Sequence, residues 1–194
     1  MLFRSHQIHS TDVLTVAETR WTSPGAPRAD GLVTDRPGVV LGVLAADCAP
    51  VLLADSGKGV IGACHAGWKG ALGGVVEATI SAMAKLGARR EQIRVAIGPC
   101  IGRDSYEVGP EFPAPFLAQD PANDRFFRTA PRAGHFIFDL AGYLLGRIAR
   151  TGVTADATRH DTLAATEDFF SYRRNTLQGV RDYGRGLSAI ALRS

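Results

Sequence analysis

Two histidines and one cysteine stand beside predicted strands in the first third of the chain. Cys48 follows the aliphatic run GVLAAD, His65 ends the run GVIGACH, and His9 lies in HQIHS shortly before the first predicted strand. Strand ends gather along one rim of a sheet, so residues distant in sequence can meet there. Two imidazoles and a thiolate suit zinc, and three protein ligands leave the fourth tetrahedral position for water or substrate. This set predicts a catalytic rather than a structural metal site.

The same residues also have a purely structural interpretation. A cysteine after an aliphatic strand is commonly a small buried side chain, and a lone histidine is commonly a hydrogen-bonded polar group. The separations match no compact zinc-finger pattern, so spacing alone leaves both interpretations open. Cys64 directly precedes His65, and alternation along a strand turns its side chain to the opposite face, which predicts a core position. For Cys100 in GPCIG we also expect packing rather than a role in a pocket.

Further polar residues fall near the same predicted rim. Asp47 in AADC can orient a ligand imidazole, or it can cap a turn. Lys69 in HAGWKG begins a predicted helix and suits an anionic substrate, although a solvated surface lysine is the common alternative. Arg173 and Arg174 in SYRRN present guanidinium groups that suit phosphate or carboxylate, and a surface ion pair is the common alternative for either one.

The elements that must position these residues are mostly strands in the first half of the chain. Short aliphatic or β-branched runs bounded by turn residues predict strands at DVLTV, DGLVT, GVVLGVLAAD, PVLLAD and GVIGACHA. The turn DSGKG predicts that the last two strands pair as a hairpin. Apolar residues from Leu72 to Leu86 recur at helical spacing before Gly87, which predicts the first long helix.

The second half adds fewer and more scattered elements. IRVAIGPCIG and GLSAIALRS predict strands, and a second helix is predicted from Asp139 to Arg150 with Asp139 as its N-cap. GPEFPAPFLAQDPANDRFF predicts a short helix with a loop, and DFFSYRRNT predicts a polar aromatic loop. This mixture predicts an α/β fold of the layered α+β kind, a single domain over residues 1–194 with a mixed sheet flanked by helices.

Composition narrows the class of protein. The chain has 194 residues, 45% hydrophobic and 21% charged, which is typical of a folded globular protein. The 22 basic residues exceed the 19 acidic ones only slightly and are scattered, so we expect no nucleic-acid partner. We also expect no membrane segment and no signal peptide, and hence a cytoplasmic protein. Three unpaired cysteines argue against a disulfide framework.

Taken together, the motifs are recognisable. QIHS, ADGLVT, AADCAPVLLAD, ACHAGWKG, AIGPCIG, YEVGPE, FDL and FFSYRR follow one another from His9 to the region of Arg173. In this order they resemble the multicopper polyphenol oxidase (laccase)-like family, also called the purine nucleoside phosphorylase or peptidoglycan editing factor family. The most specific pieces of the resemblance are the ADC and PVLL segment and the HAGW segment with its following glycine.

The resemblance implies a site and an activity. It implies a shallow pocket with zinc on His9, Cys48 and His65, and it makes Asp47 a candidate catalytic residue beside them. It also implies phosphorolysis of adenosine, inosine and methylthioadenosine, with adenosine deaminase activity. Phosphorolysis needs an anion site beside the ribose, for which Lys69 and Arg173 are the candidates. The partners would then be small molecules, a purine nucleoside and phosphate, bound by a monomer or small homo-oligomer.

Three alternatives to this activity remain. The family's older description implies a copper-dependent polyphenol oxidase, but five histidines are too few ligands for several copper centres. An editing hydrolase acting on a peptidoglycan precursor would use the same activated water and anion site. A non-catalytic metal-binding protein is the third, because we expect this domain to lack the family's N-terminal segment and part of its pocket wall. Lys69 also stands where the family commonly has arginine, which keeps the charge but loses bidentate geometry.

Overall fold

The strands form from the aliphatic runs that turn residues separate. The computed structural model describes residues 1–17, Trp21 and residues 25–193. In chain order, the strands of this described part are β1 (Leu2–Phe3), β2 (Val13–Thr15), β3 (Gly31–Thr34), β4 (Val40–Ala45), β5 (Ala49–Asp55), β6 (Val60–Ala66), β7 (Arg94–Ile97), β8 (Glu107–Val108), β9 (Phe127–Thr129), β10 (Phe136–Phe138), β11 (Thr154–Ala157) and β12 (Gly186–Ala191).

Six strands form a mixed central sheet in the order β11-β7-β5-β6-β3-β2. The outer pairs, β11 with β7 and β2 with β3, are parallel, and the inner pairs are antiparallel. The predicted hairpin of β5 and β6 is confirmed, with a register that runs from Ala49 opposite Ala66 to Asp55 opposite Val60. This register brings the start of β5 beside the end of β6.

Two smaller sheets have the orders β1-β4-β12 and β8-β10-β9. The first packs on one face of the central sheet, where Phe3, Leu41 and Val43 are buried together with Leu32 and Ile61. Because β-strand side chains alternate between faces, the central strands contribute to this core and to a second one on their other face. The layered arrangement confirms the predicted mixed sheet flanked by helices.

Helices cover the other face of the central sheet and form the larger core. Val76, Ile80 and Met83 on one helix, with Leu144 and Ile148 on another, are almost completely buried there. None of the helices in the described residues combines the length and apolar character that crossing a bilayer requires. The α-helices are α1 (Trp68–Gly73), α2 (Val75–Lys85), α3 (Ala114–Gln119), α4 (Leu140–Ala149) and α5 (Tyr172–Leu177), and 3₁₀ turns span Arg90–Gln92 and Pro121–Phe126.

The first long helix is interrupted, which its apolar spacing did not predict. Gly74 has a φ of 94° and separates α1 from α2, so the segment from Leu72 to Leu86 is not one continuous helix. Only glycine adopts this left-handed conformation at little cost. The predicted glycine after the helix is confirmed, since Gly87 has a φ of 96° beyond the end of α2.

The segment predicted as a polar aromatic loop contains a short helix. Ser171 is the N-cap of α5, and its hydroxyl accepts a hydrogen bond of 3.1 Å from the Arg174 amide. A serine whose hydroxyl accepts an amide three residues later commonly marks the start of a helix. The charged and aromatic residues around Ser171 led to the prediction of a loop instead. The N-cap predicted for α4 is confirmed, because the Asp139 carboxylate accepts the Gly142 amide at 2.8 Å.

Candidate metal centre

The two histidines and the cysteine converge at one rim of the central sheet. His65 lies at the end of β6, Cys48 directly precedes β5, and the hairpin register places these two positions side by side. His9 reaches the same point from the loop before β2. One ligand atom from each residue lies within 4.8 Å of the others, and Cys48 Sγ is 3.8 Å from His9 Nε2. The structure therefore contains a possible His-Cys-His metal site.

The donor set fits a zinc-like ion. Tetrahedral zinc with thiolate and imidazole ligands places sulfur and nitrogen about 3.5 Å apart. The observed separation of 3.8 Å between Cys48 and His9 is close to this value. Gly67 leaves the room, since a Cβ built there would lie 2.8 Å from Cys48 Sγ and 2.9 Å from His9 Cδ2. A side chain at this position would occupy the space that the ligands require.

Asp30 positions both histidines, and sequence reasoning missed this residue. Its buried carboxylate accepts a hydrogen bond of 2.9 Å from His65 Nδ1, which leaves the other ring nitrogen free for a metal. The same carboxylate accepts the amides of Ile8 and His9, each at 3.0 Å, and the amide and hydroxyl of Ser10. Its position in the ADGLVT segment was visible, but nothing local to that segment indicates a distant histidine partner.

Backbone strain is concentrated at the site. Among the described non-glycine residues, His9 and Asp47 have positive φ angles, of 61° and 84°. Left-handed conformations of this kind cost about 1 to 3 kcal/mol each and persist where surrounding contacts enforce them. At His9 the enforcing contacts are the amide hydrogen bonds to Asp30. The uncommon backbone conformation therefore occurs at one candidate ligand, His9, and at the residue that precedes another, Cys48.

Three groups at the centre, Cys48, His65 and Asp30, have shifted pKa values. Burial alone would raise the pKa of the Cys48 thiol, but hydrogen bonds with His65 and His9 outweigh it and lower the value to about 7. Burial opposes the charged form of His65, but Asp30 and Cys48 outweigh it and raise its pKa to about 9. Burial likewise opposes ionisation of Asp30, yet its hydrogen bonds lower its pKa to about 2. The lowered pKa values favour the thiolate form of Cys48 and the carboxylate form of Asp30.

Asp47 does not take the imidazole contact that its sequence position allowed. Its carboxylate accepts hydrogen bonds from the Thr162 hydroxyl at 2.7 Å, the Ser171 hydroxyl at 3.0 Å and the Arg173 amide at 2.6 Å. The carboxylate that accepts a hydrogen bond from an imidazole is that of Asp30. Asp47, which directly precedes Cys48, instead binds a loop that is distant in sequence. The interpretation as a local turn cap is also too narrow, because its partners lie far along the chain.

A pocket of about 430 Å³ opens beside the centre. Lys69 and Arg173 both line it, whereas Arg174 donates to the backbone carbonyls of the loop at 162, 163 and 169. Arg173 Nη1 donates to the Glu107 carbonyl at 2.7 Å, and its guanidinium carbon lies 5.4 Å from the Tyr106 ring centre. The complete lining is Ile8, His9, Ala46, Asp47, Cys48, Gly67, Trp68, Lys69, Ile101, Tyr106, Leu140, Tyr172 and Arg173.

The other two cysteines lie in the core, as alternation and context predicted. Cys64 is fully buried and Cys100 is 4% exposed, and neither is in a disulfide. Burial raises the pKa of each thiol to about 12, so both stay protonated at neutral pH. They are therefore poor metal ligands, in contrast to Cys48.

Comparison with known proteins identifies a family and several relatives of this chain. The profile of a family described as multi-copper polyphenol oxidoreductase laccase matches residues 1–193. A purine nucleoside phosphorylase of Deinococcus radiodurans is 39% identical over 178 residues, which cover 92% of this chain. An adenosine deaminase, RL5, from an unknown prokaryotic organism is 35% identical over 158 residues, which cover 79% of this chain. This chain spans 66% and 60% of the lengths of these two relatives.

A solved structure confirms the fold. The crystal structure of a Neisseria meningitidis protein is similar with a TM-score of 0.86 and 34% sequence identity. The similarity covers 100% of this chain and 75% of that one.

Replacing Cys48 with alanine removes the only sulfur ligand of the centre, and we expect the purified protein to lose its metal. The native sequence should carry close to one zinc per chain, as elemental analysis would measure. The matched control is Cys64→Ala, which removes a buried thiol from the residue next to His65 but on the other strand face, and should keep the metal. Retention of metal by Cys48→Ala, or equal loss from both variants, would contradict the site.

Replacing Gly67 with alanine forces a Cβ against Cys48 and His9, so we expect metal affinity to fall at least about tenfold. Competition with a metal-buffering chelator measures this change. Gly70→Ala is the control, because its Cβ would make contacts of 3.4 Å or more, which are ordinary. Similar affinities for the two variants would show that Gly67 does not shape the centre.

Metal binding should tighten as the pH rises. A metal needs a thiolate and neutral imidazoles, so protons compete with it. With the pKa of His65 raised to about 9 and that of Cys48 lowered to about 7, binding between these values displaces one proton, from His65. We expect apparent affinity to rise about tenfold per pH unit in this window and more steeply below it. Chelator competition at several pH values tests this, and affinity that is independent of pH would contradict it.

Proposed function

The chain belongs to the family described as multi-copper polyphenol oxidoreductase laccase, and from this premise we propose that it is a zinc-dependent purine nucleoside phosphorylase. One observation carries the proposal. A single pocket of about 430 Å³ is lined by the candidate ligands His9 and Cys48 and also by the cations Lys69 and Arg173. A candidate metal site and a candidate anion site thus face the same substrate-sized space, and the 39% identical relative is named a purine nucleoside phosphorylase.

The walls of the pocket suit a nucleoside. Trp68 and Tyr106 both line it, and aromatic faces stack on planar bases at little conformational cost. Phe112 supports both rings, with ring centres 5.1 Å from Trp68 and 5.9 Å from Tyr106. Aliphatic side chains from Ile101 and Leu140 complete a mostly apolar lining. The base would rest on these walls, and the ribose would face the polar groups.

Phosphorolysis assigns a task to the cations. A phosphate oxygen bonds to C1′ of the ribose while the bond from C1′ to the base nitrogen breaks, and the departing base takes up a proton. Arg173 is held at both ends, by the Asp47 carboxylate on its amide and by the Glu107 carbonyl on its guanidinium, so its remaining N–H groups are preorganised for an anion. Lys69 is exposed at the pocket, with its ammonium 5.5 Å from the Trp68 ring centre, and adds a less directional charge.

A zinc ion held by His9, Cys48 and His65 would supply a Lewis acid and a water whose pKa falls to about 7. The described residues contain one group of three or more such ligands, and the whole chain has five histidines. Multicopper electron transfer needs several centres, so this supply of ligands favours a single metal over the oxidase chemistry in the family description. Zinc is the proposed metal, and copper in the same three-ligand site is the alternative.

A second candidate reaction is deamination of adenosine. The relative RL5, 35% identical to this chain, is an adenosine deaminase. Deamination replaces the amino group of the purine with oxygen from water and releases ammonia, whereas phosphorolysis leaves the base intact and consumes phosphate. The two reactions therefore give different products from one substrate, inosine or free adenine. We place both in the cytoplasm, where thiols such as Cys48 stay reduced.

The test is a product assay with zinc-loaded protein. Adenosine, inosine and methylthioadenosine with phosphate should yield free bases and the corresponding ribose 1-phosphates. Arg173→Ala should lower kcat/KM for phosphorolysis about tenfold or more, mainly through the KM for phosphate, because a charge-assisted contact is lost. Arg132→Ala, which changes an exposed arginine outside the pocket, is the control.

The outcomes separate the alternatives. Equal activity of metal-free protein would end the zinc-dependent proposal, and inosine with ammonia as the products would favour deamination. Turnover of nucleotide-linked muramyl amino acids, with nucleosides inert, would favour the editing hydrolase. Bound zinc without turnover of any of these substrates would favour a non-catalytic metal-binding protein.

A further inference from the structure

We propose that Asp47 couples the metal centre to the tail loop, which we define as residues 162–174, so that metal binding and ordering of this loop favour each other. Asp47 would then be a positioning residue that acts on Cys48 and Arg173 without touching substrate. The inference rests on the proposed metal site, but it does not depend on which nucleoside reaction the pocket performs.

The first support is the distribution of hydrogen bonds on one carboxylate. Asp47 is 8% exposed, and its two oxygens accept from the Thr162 hydroxyl, the Ser171 hydroxyl and the Arg173 amide at 2.6 to 3.0 Å. These donors mark the beginning and the end of the tail loop. Hydrogen bonds to a carboxylate are stronger than those between neutral groups. Three contacts of the loop therefore converge on the residue that precedes a candidate metal ligand.

The second support is the backbone at the same residue. Asp47 has a φ of 84°, and its carbonyl accepts the Ile101 amide at 2.9 Å. A non-glycine residue rarely adopts this strained conformation, which persists only where its surroundings enforce it. The direction in which Cys48 leaves the chain depends on this angle. The tail loop thus helps to enforce the backbone conformation that aims the Cys48 thiol at the two imidazoles.

These contacts define two states of the loop. In the engaged state, Asp47 is held with positive φ, Cys48 Sγ lies 3.8 Å from His9 Nε2, and Arg173 lines the pocket. In a released state, the backbone at Asp47 relaxes, and both the thiol and the guanidinium leave their positions. A metal that needs the engaged thiol binds the engaged state more tightly, and it shifts the population toward that state. By linkage, ordering the loop raises metal affinity by the same factor.

A second carboxylate, that of Asp161, also anchors the tail loop but is not next to a candidate metal ligand. Asp161 accepts the Gly102 amide at 3.0 Å, the Ser105 hydroxyl and the Leu163 amide, and so it also fastens the start of the tail loop. It is adjacent to no candidate ligand. A general stabilising role would make the contacts of Asp47 and Asp161 equivalent, whereas coupling through Asp47 requires that loss of an Asp47 contact weaken metal binding more than loss of an Asp161 contact.

The test removes one loop contact without altering the charge or the ligands of the centre. Thr162→Val deletes a hydroxyl that donates to the Asp47 carboxylate at 2.7 Å, and it nearly preserves side-chain volume. Thr34→Val is the matched control, because Thr34 is also buried and its hydroxyl donates to the Val16 carbonyl, away from the centre. Zinc affinity is measured by chelator competition, and amide hydrogen exchange of residues 162–174 is followed with and without zinc. Asp161→Asn serves as a second control.

We expect zinc to slow exchange in the tail loop of the native sequence. We expect Thr162→Val to bind zinc about fivefold more weakly or worse, which is the lower range of allosteric coupling, and to lose most of the protection by zinc. Thr34→Val should keep the native zinc affinity, and Asp161→Asn should weaken it less than Thr162→Val does. Equal zinc affinities of Thr162→Val and Thr34→Val would overturn the proposal. So would amide hydrogen exchange of the tail loop that is the same with and without zinc in the native sequence.

Other results separate this proposal from the proposed function. A native protein that binds no zinc would overturn both. Coupling without turnover of any nucleoside would overturn only the proposed function. Nucleoside turnover with zinc affinity that is unchanged by Thr162→Val would overturn only the coupling.

Discussion

The buried carboxylate of Asp30 joins the two histidines of the centre, and the rest of the site is arranged around that connection. It accepts the imidazole N–H of His65 from the end of β6 and the amides of the loop that carries His9. Without this acceptor, three amide groups would lose their partners and His65 would lose its orientation, each loss costing about 1 to 3 kcal/mol. The register of the hairpin of β5 and β6 then places Cys48 near His65, and the contacts of Asp47 hold the backbone before it. A side-chain network and a strand register therefore build the centre together.

Most of the strands follow from local sequence, because aliphatic runs between turn residues leave few alternatives. The convergence of His9, Cys48 and His65 could also be anticipated, since all three stand near strand ends. The roles of Asp30 and Asp47 could not, because their partners lie at distant positions that no local pattern connects to them. The break at Gly74 was missed because apolar spacing continues across it, and a glycine within a helical pattern does not reveal its φ.

The pocket combines three kinds of side chain. It is lined by the nitrogen and sulfur donors His9 and Cys48, the cations Lys69 and Arg173, and the aromatic rings of Trp68 and Tyr106. Of the two arginines that the sequence offered, the structure uses Arg174 to bind carbonyls of its own loop and leaves Arg173 for the pocket. The two adjacent arginines therefore make different contacts, because successive residues of the helix α5 point in different directions.

The dependence of Asp47 on Thr162, Ser171 and Arg173 has a consequence for biosynthesis. All three candidate ligands emerge from the ribosome in the first third of the chain, but the partners of Asp47 emerge only near its end. A nascent chain would thus display the thiol and imidazoles for most of translation without the geometry that grips an ion. Under the proposed coupling, stable capture of an ion would wait until residues 162–173 have folded back onto Asp47.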